Sequence, residues 1–151
     1  MDSTVQLQWI TRQHPFYPAE LALRYIVLRA PLKMPRGSEV YAFEEETWHC
    51  VAHINNEVVG CVLLHPQNTN KSGKLLQMAV HPDHQGRGIG AQLVRGLEAH
   101  ALNNNITSIV MNAREVAFPF YEKLGYVFAS DFFEEVGIPH RTMTKQLRHD
   151  P

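Results

Sequence analysis

A chain of 151 residues, 44% hydrophobic and 19% charged, has the composition of one soluble globular domain spanning residues 1–151 and is too short for a (β/α)₈ barrel of about 250 residues. Lys and Arg total 14 against 15 Asp and Glu, a net charge of -1, so the basic footprint that nucleic-acid phosphates demand is missing. No apolar run approaches the roughly 18 residues of a membrane span, and Met1 to Trp9 lacks the basic start and apolar stretch of a secretory leader, so a cytoplasmic protein with no membrane partner is expected.

Val5, Leu7 and Trp9 alternate with polar residues and predict a first strand. Pro18 suits a helix start, and Leu21, Tyr25 and Leu28 give helical spacing from Ala19 to Leu28, ending before Pro31. Residues 31–46 carry Pro31, Pro35, Gly37 and the run Glu44-Glu45-Glu46, which reads as a mostly solvated loop or broken helix whose glutamates could attract a cationic acceptor. Thr47 to Ile54 and Val58 to Leu64 form a hairpin turned by Asn55 and Asn56, residues that tolerate positive φ. A two-residue loop there sets Cys50 opposite Cys61, two free buried thiols in a reducing compartment.

Leu75 to Val80 is a short apolar run typical of a strand buried on both faces. A helix follows from Gly88 to Leu102, with Ile89, Leu93, Leu97 and Ala101 on one side, and then a strand from Ile106 to Met111. The next helix, Glu115 to Leu124, holds Pro119 in its first turn and stops at Gly125 with Tyr126 behind it. Strands Tyr126 to Phe133 and Arg141 to Gln146, joined by Glu134 to His140, complete an α/β (α+β) domain with a mixed sheet of about seven strands and helices on both faces. The chain shows no internal repeat, low-complexity tract or linker.

The chemistry concentrates where the Leu75–Val80 strand meets the next helix through His81-Pro82-Asp83-His84-Gln85-Gly86-Arg87-Gly88-Ile89-Gly90. Glycines at alternate positions let backbone approach a ligand, and the first helical N–H groups point outward without intrahelical partners. Phosphate or pyrophosphate suits such a site, with Gln85 and Arg87 as added donors. The spacing is not that of a P-loop or of a dinucleotide fold.

Gln85-Gly86-Arg87-Gly88-Ile89-Gly90, preceded by Met78-Ala79-Val80 and His81-Pro82, resembles motif A of the GNAT acetyltransferase superfamily. Asn112-Ala113-Arg114 with Phe120-Tyr121-Glu122-Lys123-Leu124-Gly125-Tyr126 resembles its motif B. The element order is also that of the family, a mostly antiparallel sheet with splayed central strands. Leu28 to Leu32 and Glu134 to His140 further resemble a bacterial branch of small members without an assigned substrate.

The resemblance implies an N-acetyltransferase that moves the acetyl group of acetyl-CoA to a primary amine, small molecule or peptide, by direct attack in a ternary complex, with a homodimer as a possible assembly. Acetyl-CoA would insert its pantetheine arm between the splayed strands beside Met78, Ala79 and Val80, and its pyrophosphate would lie on the backbone of Gly86, Arg87, Gly88, Ile89, Gly90 and Ala91. The Met78 N–H would hold the tetrahedral oxyanion. Tyr121 matches the tyrosine that protonates the departing thiolate; its other reading is a core aromatic. Arg114 stands where many relatives carry Asn, and it could hold a carboxylate of the acceptor or a phosphate of the donor. A Cβ at Gly88 or Gly90 would intrude on the pyrophosphate.

An alkylammonium must lose its proton before it attacks, and relatives' glutamate positions are here Lys74 and Ile109. His140, Glu134, Glu135 and His49 remain as bases, or a water chain, and His140 is favoured because the resemblance implies a last strand antiparallel beside strand five, which would start near the end of that strand. No metal is expected: His49 and His53 stand about 13 Å apart on an extended strand, and His81 and His84 bracket the phosphate loop. Two rivals stay open, a noncatalytic acyl-CoA-binding module and a transferase for a longer acyl-CoA.

Overall fold

Alternating side chains feed two opposite faces of one sheet. In the computed structural model, which describes residues 4–67 and 71–148, the elements are β1 (Gln6–Ile10), α1 (Tyr17–Arg24), β2 (Trp48–Ile54), β3 (Glu57–Pro66), β4 (Ser72–Val80), α2 (Ile89–Asn103), β5 (Ser108–Arg114), α3 (Phe118–Lys123), β6 (Val127–Phe128), β7 (Phe133–Glu135) and β8 (Ile138–Gln146). The strands form one eight-stranded sheet in the order β1-β2-β3-β4-β5-β8-β6, with β7 also on β8. Every pairing is antiparallel except β4 with β5.

Cys50, Ala52, Val62, Leu64, Ile109, Met111 and Met143 face α2 and α3, where they pack on Ile89, Leu93, Leu97, Phe118 and Tyr121. Val51, Cys61 and Ala79 face Tyr17 and Leu23 of α1. Helices therefore cover both faces, as the sequence predicts. Period-two alternation along β5 and β8 sends Asn112, Arg114, His140 and Thr142 toward the α1 face, because Met111, Ala113 and Met143 occupy the other.

Four expectations change. The predicted strand Tyr126 to Phe133 is two strands, because Ser130 Oγ accepts from the Thr142 N–H at 2.8 Å and Asp131 Oδ1 from the Phe132 N–H at 2.8 Å, side chains taking bonds a ladder would use. The connection Glu134 to His140 is itself a hairpin, turned by Val136 (φ 47°) and Gly137 (φ 79°), the pair of positive φ values that a two-residue type I′ loop needs. Asn55 and Asn56 do turn the β2–β3 hairpin, pairing Ile54 with Glu57 and His53 with Val58, but Val59 bulges out, so Ala52 meets Gly60 and Cys50 meets Val62. A one-residue slip reverses the face, and Cys50 and Cys61 enter opposite sides of the sheet as free buried thiols.

The fourth concerns the acidic run. Glu45 and Glu46 are exposed, but Glu44 is 3% exposed. It turns inward in the short 3₁₀ turn Glu44–Glu46 to meet Arg24, a cation presented by α1. After Arg24, α1 widens into a π turn, Tyr25–Arg29, which carries Leu28 and Arg29 over the end of β4. No helix among the described residues is long and apolar enough to cross a membrane.

Candidate active site

The parallel pairing of β4 with β5 is confined to Ser72 with Ser108, Gly73 with Ile109 and Lys74 with Val110. Beyond Lys74 the strands part, and a cavity of about 980 Å³ opens between them. Its walls come from Leu75–Val80, the His84–Ala91 segment, the end of β5, α3, the π turn and the start of β8.

A β-bulge shapes the donor wall. Leu76 pairs with Leu63 and Ala79 with Cys61, leaving Gln77 and Met78 outside the β3–β4 register, with Gln77 at φ 45°. Gln77 is a polar residue in an otherwise apolar run, the one signal in the sequence that could have marked it. Arg24 Nε donates to its Oε1, and its Nε2 donates to the Glu39 carbonyl at 3.0 Å. The bulge is thereby tied to the interior of the α1 face.

Arg24 is fully buried. Its Nη1 donates to Glu20 at 2.8 Å and to Glu44 at 2.6 Å, and its Nη2 donates to the Glu39 carbonyl. Tyr17 donates its hydroxyl to Glu44 at 2.7 Å, and His49 Nδ1 donates to Glu20 at 2.8 Å. Burial opposes ionisation of Glu44, but bonds from Arg24, the Tyr41 N–H and Tyr17 outweigh it and hold the carboxyl down at about 2. Burial and Glu44 push the Tyr17 phenol up to about 12. Glu20, Glu44 and His49 bring ligand atoms within 4.8 Å of one another, but Arg24 already supplies the cation among them. His49 does not line the cavity, and this removes it as a base.

The glycine loop enters the cavity at its other end. Gly86 (φ 81°) and Gly88 (φ 78°) adopt left-handed backbone, and Gly88 caps α2. The first intrahelical donor is Gln92 N–H, bonded to the Gly88 carbonyl at 3.1 Å, so the N–H groups of Ile89, Gly90 and Ala91 precede the helix ladder. Gln85, Gly86, Gly88, Ile89, Gly90 and Ala91 line the cavity, whereas Arg87 is exposed outside that lining. Gln85 Nε2 donates to the Val80 carbonyl at 3.1 Å, so this amide fastens the loop to β4. A Cβ at Gly86 or Gly88 meets nothing within 4 Å, but one at Gly90 would stand 3.2 Å from Phe120 Cζ. Gly90 therefore serves the close approach of α2 and α3.

Tyr121 lines the cavity from the α3 side and is 5% exposed. Burial alone pushes its phenol up; no charge or hydrogen bond contributes. Met78, Ala79 and Val80 line the opposite wall. From the α1 face, His140 pairs with Arg114 at the end of β5, as expected, and is 3% exposed. Its Nδ1 lies 2.9 Å from the Ile138 carbonyl. A carbonyl only accepts, so Nδ1 carries the proton and Nε2 presents its lone pair when the ring is neutral. Glu135 Oε2 is 3.7 Å from Nε2, and Glu135 also accepts from Asn112 Nδ2 at 3.2 Å. Glu134 is exposed outside the lining. Arg29 and Tyr41 also line the cavity, and nothing in their loop sequence marks them. Burial pushes the Cys50 thiol up to about 12 and Cys61 well above its usual range, so neither offers a thiolate.

A family model described as an acetyltransferase (GNAT) domain matches residues 33–147. The chain belongs to the GNAT acetyltransferase family. Among its GNAT relatives, the uncharacterized N-acetyltransferase YjcF of Bacillus subtilis is 31% identical over 113 residues, covering 74% of this chain and 79% of that one. Among solved structures, Escherichia coli ElaA superposes with a TM-score of 0.82 at 17% identity, over 95% of this chain and 100% of that one. A GNAT family acetyltransferase from Elizabethkingia anophelis, solved with acetyl-CoA bound, superposes at 0.72 with 19% identity over 97% of this chain and 100% of that one.

Proposed function

We propose that this GNAT chain transfers the acetyl group of acetyl-CoA to a primary amine by direct attack. One observation carries the reading: a single cavity in the β4–β5 splay joins the open N-terminus of α2 to two ionisable groups from opposite faces of the sheet, Tyr121 and His140. The helix N–H groups and Gly86–Gly88 suit the pyrophosphate, and the apolar walls of the splay suit the neutral pantetheine arm. The solved relative with acetyl-CoA bound supports the choice of donor.

An amine with an ordinary pKa near 10.4 spends about 4 kcal/mol at neutral pH to shed its proton unaided. The neutral His140 takes that proton at Nε2, and the amine nitrogen bonds the thioester carbon. The carbonyl oxygen, now an oxyanion, accepts from the Met78 N–H beside the bulge. The bonded nitrogen sheds its second proton to solvent, collapse breaks the C–S bond, Tyr121 gives its proton to the departing thiolate and is reprotonated from solvent, and His140 releases to solvent the proton it took. A phenol of ordinary pKa is already protonated at neutral pH and burial disfavours the phenolate further, so Tyr121 carries its proton until thiolate forms.

Thiol release from acetyl-CoA across a panel of amines tests the activity. Tyr121→Phe retains the ring contacts and loses the proton donor, so kcat falls by about 10² with the acetyl-CoA KM unchanged. An unchanged kcat, with only stability lowered, would return Tyr121 to the core.

A further inference from the structure

Arg29 and Arg114 are both half-buried on the cavity wall, and both spend N–H groups on backbone rather than on carboxylates. Arg114 Nη2 donates to the Leu28 carbonyl at 3.1 Å, which fixes it to the segment that carries Arg29, and Arg29 Nε donates to the Ser38 carbonyl at 3.2 Å. Neither forms an ion pair among the described residues, in contrast to the buried Arg24 with its two carboxylates. Burial, then the charge of Arg29, lowers the pKa of Arg114; two like charges thus share one wall with most of their donors unspent. Lys74 adds a third cation to the lining, against Glu135 as its carboxylate.

We propose that Arg29 and Arg114 form an anion subsite that holds the carboxylate of the acceptor, so that the substrate is an amine that also bears a carboxylate, of the α-amino-acid type. The assignment rests on the acetyl-transfer reading above. In that reading the negative charge of the donor lies on the glycine loop, and the arm that reaches this end of the cavity is neutral, so the anion comes from the acceptor. A guanidinium fork matches the two oxygens of a carboxylate. The partner of Arg114 across the β5–β8 ladder is His140, and adjoining register positions on one face set the anion subsite beside the imidazole that takes the amine proton. A short spacing between amine and carboxylate follows, with Glu135 facing the ammonium as it enters.

Free α-amino acids and the matching α-amino acid amides, compared in the thiol-release assay, test this. Removing the carboxylate charge leaves the amine in place, and the expected kcat/KM for the best acids is at least about tenfold above their amides, the scale of one charge-assisted bond. Arg114→Gln and Arg29→Gln each remove most of that preference through the acceptor KM, Arg114→Lys retains part of it, and the acetyl-CoA Kd measured by calorimetry stays unchanged in all three. Equal use of acids and amides overturns the proposal. So does a raised acetyl-CoA Kd in the variants, which would assign the guanidiniums to the donor, and so does turnover of carboxylate-free amines alone. A protein that fails to bind acetyl-CoA at all overturns the acetyl-transfer reading, and this one with it.

Discussion

Arg24 at the end of α1 and Gln77 in the β4 bulge are joined by an Nε–H to Oε1 hydrogen bond across 53 positions of sequence. The bond couples a fully buried guanidinium to the residue that precedes Met78, the backbone donor of the proposed oxyanion site. Gln77→Met preserves length and removes the polar end, which leaves the Arg24 Nε–H without its partner and the Glu39 carbonyl with only its bond from Arg24 Nη2. The expected cost is about 1–3 kcal/mol of stability. The expected fall in kcat is about tenfold or more, because a displaced donor loses its aim at the transition state. Thiol release with calorimetry checks the pair of effects; an unchanged kcat would mean that the β3 ladder alone sets the bulge.

Acid stability should report on Glu44. Its carboxyl is held at about 2 in the folded chain against about 4.3 when unfolded, so the folded state binds fewer protons. The sign follows: the contribution is present above the unfolded value and is lost as pH falls through the folded one. The melting temperature should drop steeply between about pH 4.3 and 2. In Glu44→Gln it should be lower at neutral pH and fall less over that window, as thermal denaturation followed by circular dichroism would show. A parallel pH profile in the variant would assign the acid transition to other carboxylates.

The parts of the site legible in sequence are those where chemistry demands a residue type. Gly86 and Gly88 require left-handed backbone, and Tyr121 has a motif neighbourhood on both sides. The parts that escaped depend on tertiary partners. Glu44 sits in a run of three glutamates, and only the arrival of Arg24 from α1 distinguishes it from its solvated neighbours. The turn at Asn55-Asn56 is readable, but no residue type marks the bulge at Val59, and that bulge reverses the face of Cys61. Arg29 lies in a π turn that helical spacing does not announce.

The two loop glycines should separate in their variants. At Gly88 the backbone is left-handed and the space beyond Cα is open, so Gly88→Val strains the cap and reaches into the proposed pyrophosphate site; the CoA Kd should rise about tenfold or more. At Gly90 the added Cβ would strike Phe120, so Gly90→Val should cost about 1–3 kcal/mol of stability through overpacking. Calorimetric titration with CoA and a thermal melt of each variant distinguish the two effects. Equal loss of CoA affinity without a stability change in both would restore the simpler idea that each glycine clears room for the pyrophosphate.

His140 is the residue on which the acid–base half of the proposed mechanism turns. The hairpin that carries it is fixed by Val136 and Gly137, its Nδ1 is committed to the Ile138 carbonyl, and its ring lies against Phe133 at 6.1 Å between centroids and 27° between planes. The ring therefore has one orientation and one free nitrogen, the arrangement a general base needs. His140→Gln should lower kcat/KM for the acceptor by about 10² while the acetyl-CoA Kd holds, and the acid limb of kcat/KM against pH should vanish, since protonation of this imidazole removes the base. Glu135→Gln should lower kcat/KM less and leave that limb in place, because the carboxylate lies 3.7 Å from Nε2 and acts through the ring or on the incoming ammonium. If the acid limb survives in His140→Gln and disappears in Glu135→Gln, the roles are exchanged, and the carboxylate held by Asn112 is the base.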